Sequence, residues 1–335
     1  MKVTKIIIIS LIVFMVAFVT FYFWARQSIF SENEYSKIID FSSKPNVIIE
    51  DTFSIMTYNI GYLSGMTNNL PLDRSPELLN YNLNNAASLL LDKAPSIIVF
   101  QEIDFASQRT LDINQFEQLA LLSSYENGAE VVNWDKQYVP FPYWPINQNF
   151  GRMLSGQAIL SHSKILSNKR IVLPKPQSNP FYYNDFYLDR LAQLVWFATS
   201  KDSMLIINVH FEAWDGPMRE LQAKIVLDIF KKHEQTSPII LLGDFNCTPP
   251  FATNAFPEKT IEMLIDNPNI SMAISKDKYL SSPEQYFTFN SEIPFEKIDY
   301  IFYNNNFLKC IDTDVLHEAG EISDHLPVWA SFSFR

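Results

Sequence analysis

The sequence predicts an α/β domain that follows a single membrane-spanning helix. Strand-like apolar segments alternate with helical patterns along the chain, and several of these strands end in polar residues. Near the N-terminus, an apolar run of 19 residues is long enough to cross a bilayer. With 335 residues, 47% of them hydrophobic, the chain can bury a sizeable core. We expect a membrane anchor or signal over 1–26, a polar linker over 27–50 and one globular domain over 51–335.

The apolar run spans residues 6–24 and follows Lys2 and Lys5. At about 1.5 Å per residue it gives roughly 29 Å of helix, close to the hydrocarbon thickness of a bilayer. An uncleaved anchor is favoured over a signal peptide, because Phe23 stands where a small residue is needed if the signal ended at Ala25. The lysines favour a cytoplasmic N-terminus. We therefore expect a periplasmic or extracellular domain, which is secreted if the segment is cleaved.

The composition limits the partners and the redox chemistry. Lys and Arg number 26 against 37 Asp and Glu, so the formal net charge is -11 and the surface as a whole repels polyanions. Nucleic acid binding therefore requires a local basic patch. Two cysteines, Cys247 and Cys310, are too few for a disulfide framework. Their strand-like surroundings predict buried free thiols, with one bridge as the alternative.

The first half of the domain has a strand–helix–strand order. Strands are predicted over 53–58 and 96–102. The helix between them is predicted over 75–94, with Ser75 as its N-cap and Pro76 at its first helical position. The other predicted elements are helices over 114–123, 218–232 and 258–265 and strands over 157–161, 188–198, 204–211, 297–303, 315–317 and 328–334, the first three of these strands in one sheet.

A short apolar segment in the second half carries the most informative motif. Residues 239–242 predict a strand that is buried on both faces, and Asp244 and Asn246 follow its carboxyl end. Open α/β sheets place their chemistry at this end of the strands. If the chain is still extended there, Asp244 and Asn246 point to the same side. The alternative is a simple Asp/Asn turn after a core strand.

Residues 134–152 are rich in aromatic side chains and show no periodicity. The segment also contains three prolines. It predicts a long ordered loop, which either packs for structural reasons or forms an aromatic wall beside a site. Its large aromatic residues are Trp134, Tyr138, Phe141, Tyr143, Trp144 and Phe150.

Six segments begin or end at polar residues of similar chemistry. Each of these residues has a non-functional explanation, such as a turn, a helix cap, a core histidine or a surface charge. Their repeated position at strand ends favours one shared site instead. The residues are Asn59, Glu102, Asn208 with His210, Asp244 with Asn246, Asp299, and Asp324 with His325.

Seven short motifs over about residues 52–335 carry a family resemblance. They are TYNI at 57–60, FQE at 100–102, SGQAILS at 155–161, NVHF at 208–211, GDFN at 243–246, IDYI at 298–301 and SDH at 323–325. In this order they resemble the endonuclease/exonuclease/phosphatase superfamily, which includes deoxyribonuclease I, apurinic-site nucleases, neutral sphingomyelinases and inositol polyphosphate phosphatases. The resemblance implies a four-layer α-β-β-α sandwich of two mixed sheets, with the active site at one end.

The resemblance also implies a metal centre and a proton-transfer group. Glu102 and Asp324 are implied as ligands, with Asn59 in the metal or phosphate shell, and such hard oxygen donors suit Mg²⁺ or Mn²⁺. Asp299 is implied to orient the imidazole of His325. By the same resemblance Asp244 and His325 jointly handle the proton of the attacking water, and His210 donates to a phosphoryl oxygen or to the leaving group.

The remaining site residues are implied to hold the substrate phosphate. Asn59, Asn208 and Arg190 are assigned to phosphate, and a salt bridge with the neighbours of Asp189 is the alternative for Arg190. Asn246 is assigned to the catalytic group as a holder of the phosphate or metal shell. Gln157 stands where relatives often carry asparagine, so the contact made through that side chain is not predicted here.

Together these features predict a metal-dependent phosphoesterase that hydrolyses a phosphodiester outside the cytoplasm. The anchor and the aromatic segment favour a lipid head group as substrate. A nuclease like deoxyribonuclease I is the alternative, and the net charge disfavours it. A non-catalytic binding module with the same fold is the second alternative, which the complete set of site residues opposes. No protein partner is predicted.

Overall fold

The computed structural model describes residues 2–42, 47–68, 70–200 and 202–335. Within these ranges the chain forms seven α-helices, thirteen strands and several short 3-10 helices. The α-helices are α1 Lys2–Ala25, α2 Pro76–Lys93, α3 Gln115–Leu122, α4 Phe181–Asn184, α5 Gly216–His233, α6 Thr260–Ile265 and α7 Lys276–Ser281. The strands are β1 Ser36–Asp40, β2 Thr52–Asn59, β3 Ile97–Asp104, β4 Asn127–Val139, β5 Gly151–Ser161, β6 Ile165–Leu173, β7 Arg190–Thr199, β8 Asp202–His210, β9 Ile239–Asp244, β10 Ile270–Met272, β11 Asp299–Asn304, β12 Leu308–Val315 and β13 Val328–Phe334.

The strands form two mixed sheets. The seven-stranded sheet has the order β1-β4-β5-β3-β2-β13-β12, and the six-stranded sheet has the order β10-β11-β9-β8-β7-β6. Each sheet contains one parallel pair, β2 with β3 and β8 with β9, among otherwise antiparallel neighbours. Helices α2 and α3 cover the first sheet, and α5 and α6 cover the second. The predicted α/β fold with two mixed sheets is confirmed.

The core is divided by the six-stranded sheet. Ile240 and Leu242 of β9 pack in the cluster between the two sheets, while Ile239 and Leu241 pack beneath α5 and α6. The strand is therefore buried on both faces, as its unbroken apolar sequence predicts. Each fully buried side chain of this size contributes about 1.5–3 kcal/mol of transfer free energy.

N-cap residues define the starts of the two long helices α2 and α5. The Ser75 side chain accepts a hydrogen bond from the Leu78 amide, and Pro76 occupies the first turn of α2. Asp215 caps α5 in the same way by accepting from the Met218 amide. The predicted starts of both helices are confirmed to within a few residues.

Helix α1 is the one described helix that is long and apolar enough to cross a membrane. Signal sequences share this property. Its residues 2–21 are exposed, and its last turn packs against β4. The apolar run thus forms the helix that the sequence predicts.

Both boundaries of the loop predicted over 134–152 were wrong. Strand β4 continues to Val139, and β5 begins at Gly151. The pairing of β4 with β5 shifts register twice, after Val132 and after Lys136. Such bulges break the period-two alternation by which a strand is recognised, so the sequence pattern looked irregular.

Two further expectations about strands need correction. The strand over 157–161 belongs to the seven-stranded sheet, whereas the strands over 188–198 and 204–211 lie in the other sheet, so the assignment to one sheet was wrong. The prediction of a strand over 315–317 was also wrong, because β12 ends at Val315 and a 3-10 helix follows. Sheet membership depends on long-range pairing, which local pattern does not encode.

The segment predicted as a linker contributes to the domain. Strand β1 lies within 27–50 and pairs antiparallel with β4 at the edge of the seven-stranded sheet. Positions 43–46 of this segment lie outside the described residues. Cys247 is a buried free thiol as expected, whereas Cys310 is a partly exposed free thiol, because β12 has an irregularity there that breaks its alternation.

Gly243 allows β9 to pack closely beside β8. Its φ is +136°, and a Cβ at this position would lie 2.0 Å from the carbonyl oxygen of Val209. We expect Gly243→Ala to lower the free energy of unfolding by about 4 kcal/mol, because both the backbone angle and the space exclude a side chain. Chemical denaturation of the full-length protein in detergent measures this loss.

Gly320→Ala provides the matched control. Gly320 also has a positive φ of +56°, but no described atom lies within 4 Å of the place that a Cβ would take there. With a ψ of −139° this residue lies outside the left-handed helical region, so the backbone cost alone is about 1–3 kcal/mol. Equal losses of stability in the two variants would show that steric crowding at Gly243 has no effect.

Candidate active site

The polar strand ends meet at one edge of the two sheets. Asp244 ends β9, and its strand neighbours in register are His210 of β8 and Asp299 of β11. Asn59 ends β2 in the other sheet, and its Nδ2 donates to Asp244 Oδ2 at 2.9 Å. His325 lies just before β13, within 3.4 Å of the same amide nitrogen. Residues scattered along the sequence therefore form one buried cluster.

Asp299 holds the imidazole of His325. The distance from His325 Nδ1 to Asp299 Oδ2 is 2.9 Å, so Nδ1 donates to the carboxylate and Nε2 faces Asp244 Oδ2 at 3.8 Å. Burial by itself lowers the pKa of His325, but the carboxylates of Asp299 and Asp244 outweigh it and raise the pKa well above its usual value. The imidazole is thus oriented and favoured in its protonated form.

Asp244 is a buried carboxylate with both oxygens hydrogen-bonded. Oδ1 accepts from the backbone amide of Asn246 at 2.8 Å, and Oδ2 accepts from Asn59. Burial, followed by the charge of Asp299, raises the pKa of Asp244 to about 7, against the opposing effects of His325 and Asn59. A carboxyl group with this pKa can gain or lose a proton at neutral pH.

Glu102 and Asp324 face each other at the cavity. Asn68 Nδ2 donates to Glu102 Oε2 at 3.0 Å and lies 3.2 Å from each carboxylate oxygen of Asp324. Burial and the neighbouring Asp324 raise the pKa of Glu102. Two acids held together by one neutral amide suit a hard divalent cation, which would remove the repulsion between them.

Glu102 reaches this position through a local irregularity in β3. The pairing of β3 with β5 shifts between Phe100 and Ile103, and Glu102 has a φ of +52°. Gln101 points between the sheets, where it bonds Thr57 and Asn208. The left-handed conformation turns the Glu102 side chain toward the cavity, at a cost of about 1–2 kcal/mol.

A second group of possible ligands lies close by. One ligand atom each from Asp244, Asp299 and His325 fall within 4.8 Å of one another. These ligand atoms lie close together because His325 Nδ1 and Asp299 share a hydrogen bond. That bond already uses the nitrogen and the carboxylate oxygen that a cation would need. Asp299 does not line the cavity, whereas Glu102 and Asp324 do. The donor set of Glu102 and Asp324 therefore fits a cation better.

His210 and Arg190 form a buried pair on the other side of Asp244. Arg190 Nη1 lies 2.6 Å from His210 Nε2, which must therefore be the unprotonated acceptor. Burial, then Arg190 and His325, lower the pKa of His210, in agreement with a neutral ring. His210 Nδ1 has no hydrogen-bond partner among the described residues. The predicted donor role of His210 through Nε2 requires Arg190 to move first.

Arg190 lines the cavity, and two neighbouring side chains fix the orientation of its guanidinium. Its Nη2 donates to the Tyr187 hydroxyl at 2.8 Å, and its Nε lies 3.6 Å from Glu212. Tyr187 also donates to Glu212 at 3.1 Å. Its guanidinium faces the cavity, and its assignment to a substrate phosphate stays a prediction. Its ion-pair partner is Glu212, which follows β8, and not a neighbour of Asp189 as the alternative expected.

Two predicted site residues are placed differently from expectation. The first, Asn208, is fully buried beneath the site and bonds Phe100, Gln101 and Gln193, so it cannot reach a substrate phosphate. This assignment was wrong because alternation alone did not reveal that the residue faces the second sheet.

The second, Asn246, lies at the cavity, but the chain is not extended there. Its φ is +49°, and its Nδ2 donates to the Phe211 carbonyl at 3.0 Å. The condition under which Asp244 and Asn246 would share one strand face is therefore not met, since β9 ends at Asp244. Gln157 donates to the Asn208 carbonyl at 3.2 Å and takes part in the support beneath the site.

Three residues at the site were not predicted from the sequence: Asn68, Tyr187 and Glu212. Asn68 lies in a loop without periodicity, and nothing in the sequence signals its contact with both acids. Tyr187 and Glu212 stand close to the motifs that contain Arg190 and His210, so proximity in sequence gave a weak signal. Their role depends on contacts between separate strands.

The cluster opens into a cavity of about 560 Å³ with a largely aromatic lining. Phe141, Tyr143 and Phe150 come from the segment predicted as a long loop, which thus supplies an aromatic wall. Other walls come from Tyr183, Phe186 and Trp214. The polar lining consists of Asn68, Glu102, Arg190, His210, Asp244, Asn246, Glu296, Asp324 and His325.

Comparison with known proteins identifies the family. The sequence profile of the Endonuclease/Exonuclease/phosphatase family matches residues 56–325. The chain belongs to this family. Members of the endonuclease/exonuclease/phosphatase family hydrolyse phosphate esters. A search of curated proteins finds no match.

Solved structures of this family share the fold at low sequence identity. An endonuclease/exonuclease/phosphatase from Beutenbergia cavernae is 18% identical, with a TM-score of 0.61 over 84% of this chain and 72% of that chain. The catalytic domain of human nocturnin with bound sulfate is 18% identical, with a TM-score of 0.56 over 92% and 100% of the two chains. A mannosyl-6-phosphatase from Bacteroides thetaiotaomicron is 16% identical, with a TM-score of 0.57 over 84% and 100%.

We expect one divalent cation to bind between Glu102 and Asp324. Calorimetric titration of the full-length protein with Mn²⁺ should show that Glu102→Gln and Asp324→Asn each weaken binding at least about tenfold, because each removes a charged oxygen donor. Glu117→Gln on the exposed face of α3 is the matched control and should leave the affinity unchanged.

Asp299→Asn distinguishes the two candidate ligand groups. This variant should change Mn²⁺ affinity by less than about threefold, because the Asp299 carboxylate bonds His325 rather than facing the cavity. If Asp299→Asn abolishes binding while Glu102→Gln does not, the cation belongs instead among Asp244, Asp299 and His325.

Proposed function

We propose that this protein is a divalent-metal-dependent phosphoesterase that hydrolyses a phosphodiester outside the cytoplasm. The observation that carries the proposal is His325, held by Asp299 at 2.9 Å and facing Asp244 at the wall of the cavity. Family membership supports phosphate-ester hydrolysis as the reaction class. We further propose residues 36–335 as the catalytic domain, because β1 joins its seven-stranded sheet, with 1–26 as its membrane anchor.

Asp244 and His325 divide the proton chemistry between them. Since two carboxylates keep a proton on His325 by raising its pKa, its Nε2–H is suited to donate to a phosphoryl oxygen and to stabilise negative charge. Asp244, with a pKa of about 7, is the better acceptor for the proton of an attacking water. Asn59 and the Asn246 amide hold the Asp244 carboxylate in place for this step.

Arg190 supplies positive charge for the substrate phosphate. Its guanidinium lies at the cavity with Tyr187 and Glu212 fixing its orientation, and a planar fork of this kind suits two phosphate oxygens. When a phosphate draws Arg190 away, His210 Nε2 loses its hydrogen-bond donor, and a shift of the ring proton from Nδ1 to Nε2 then lets His210 donate to the substrate. Glu102 and Asp324, with Asn59 nearby, would hold Mg²⁺ or Mn²⁺, which neutralises phosphate charge when bound.

A lipid head group is the substrate we favour. Tyr143, Trp144 and Phe181 are 69%, 78% and 73% exposed beside or near the cavity, which is unusual for a soluble surface and suits a membrane interface. A nuclease is the second candidate, since aromatic rings also stack on bases. The net charge of -11 opposes it. The complete cluster around His325 opposes a non-catalytic binding module.

His325→Ala and Asp244→Ala should each lower phosphodiester hydrolysis by at least about a thousandfold, because each removes a proton-transfer group. Both proteins should remain folded by circular dichroism. His317→Ala, at an exposed histidine outside the site, is the control and should keep full activity. Normal turnover in either site variant would overturn the assignment.

The substrate class can be tested with one panel. We expect the full-length protein with Mg²⁺ to hydrolyse phospholipid in vesicles at least about tenfold faster than DNA or RNA, because its acidic surface disfavours polyanions. Release of the phosphate-bearing head group and gel analysis of labelled nucleic acid measure the two activities. Cleavage of nucleic acid alone would overturn the lipid assignment.

A further inference from the structure

A second cavity lies between α1 and the mouth of the candidate active site. We call it the lip groove; it has a volume of about 480 Å³ and an almost entirely apolar lining. Pro140, Tyr143 and Phe186 line both this groove and the active-site cavity, so the two are adjacent and share a wall. Phe18, Val19 and Tyr22 of α1 form one side of the groove, and Tyr143, Phe181 and Tyr182 form the other.

Helix α1 is fixed to the domain beside this groove. Arg26 forms a salt bridge with Asp185 at 2.7 Å, and the Tyr22 hydroxyl donates to the same carboxylate. The rings of Phe21 and Trp24 pack against Tyr138 with centroid distances of 5.6 and 6.4 Å. These contacts hold the end of the helix in a defined position relative to the site.

With α1 as the proposed membrane anchor, the groove would lie at the depth where the helix leaves the bilayer. Four consecutive aromatic residues, 21–24, end the apolar run and are followed by Arg26. Aromatic rings at the end of a membrane span collect at the lipid–water interface. Tyr22 in this group lines the groove, as do Phe18 and Val19 one turn deeper. The groove is therefore positioned to open toward the acyl chains of the bilayer.

We propose that the lip groove holds an acyl chain of a membrane phospholipid while its phosphodiester lies at His325, Asp244 and Arg190. The enzyme then takes its substrate from the leaflet that faces the catalytic domain, without releasing the lipid into water. This inference rests on the proposed function and adds the substrate class and its route of entry. An apolar groove bordered by a membrane helix offers nothing to a nucleic acid backbone, which needs cationic contacts.

The test uses full-length protein in phosphatidylcholine–phosphatidylglycerol vesicles with Mg²⁺, with the water-soluble diester bis(4-nitrophenyl) phosphate as the second substrate. The variant is Phe181→Ser with Tyr182→Ser, at residues that line the groove but not the active-site cavity. We expect the ratio of lipid to soluble-diester hydrolysis to fall about tenfold. Tyr81→Ser is the matched control, because Tyr81 is 68% exposed on α2 away from the groove and should keep the ratio unchanged.

The outcomes separate the inference from the proposed function. If the wild type hydrolyses neither the soluble diester nor lipid nor nucleic acid, the proposed function fails and the inference fails with it. If it hydrolyses the soluble diester but not the lipid, or if the double variant keeps the wild-type ratio, only the inference fails. Nucleic acid cleavage without lipid cleavage also overturns the inference and leaves a phosphoesterase.

A binding measurement without turnover gives an independent test. The variant Asp244→Asn is mixed with vesicles that contain a phospholipid with a diazirine at the terminal acyl carbon, and the labelled peptides are identified after illumination. A chain seated in the groove should place the label on residues 181–186, which lie at the interface. A chain that remains in the bilayer core places the label only on residues 3–16 of α1, and this result contradicts the proposal.

Discussion

A buried polar network between the two sheets is the constraint on which the candidate site depends. Gln101 of β3 donates to Asn208 of β8 at 2.8 Å, and Asn208 donates to Phe100 and Gln193. A polar group buried in such a core costs free energy unless it has a hydrogen-bond partner. The network therefore favours the one alignment of the two sheets in which these hydrogen bonds form. The same alignment brings Asn59 of one sheet to Asp244 of the other. Asn208 therefore matters as a support for the site and not as a ligand.

The electrostatics of the site follow from this alignment. Packing the two sheets together places five acids and two histidines in a small, largely buried volume: Glu102, Asp244, Asp299, Asp324, Glu212, His210 and His325. Burial raises the pKa of Glu102 and of Asp244, while neighbouring acids raise the pKa of His325. Glu102 and Asp324 remain the pair with most to gain from a divalent ion. The two histidines thus acquire opposite protonation states and different uses.

Helix α1 and the candidate active site form one structural unit. Asp185, which receives Arg26 and Tyr22 from α1, directly follows α4 in the chain and precedes Tyr187, which holds Arg190. A displacement of the helix would therefore move the aromatic wall and the guanidinium of Arg190 together. Helix α1 is thus packed against the lip of the cavity rather than joined to the domain by a free stalk.

The sequence by itself determined the family, the two-sheet α/β fold, the long helices with their caps and most of the residues that meet at the site. It did so because buried strands, helix caps and strand-end acids are encoded by local patterns and short motifs. Only the tertiary structure decided which sheet each strand joins and that Glu102 turns toward the cavity at a bulge. It also decided that Asn68 bridges Glu102 and Asp324, and that Asn208 lies beneath the site. It also decided that Ser36–Asp40 closes an edge of the sheet. These features depend on pairing between distant segments, where register and burial are set by the whole fold and leave no signature in the neighbouring residues.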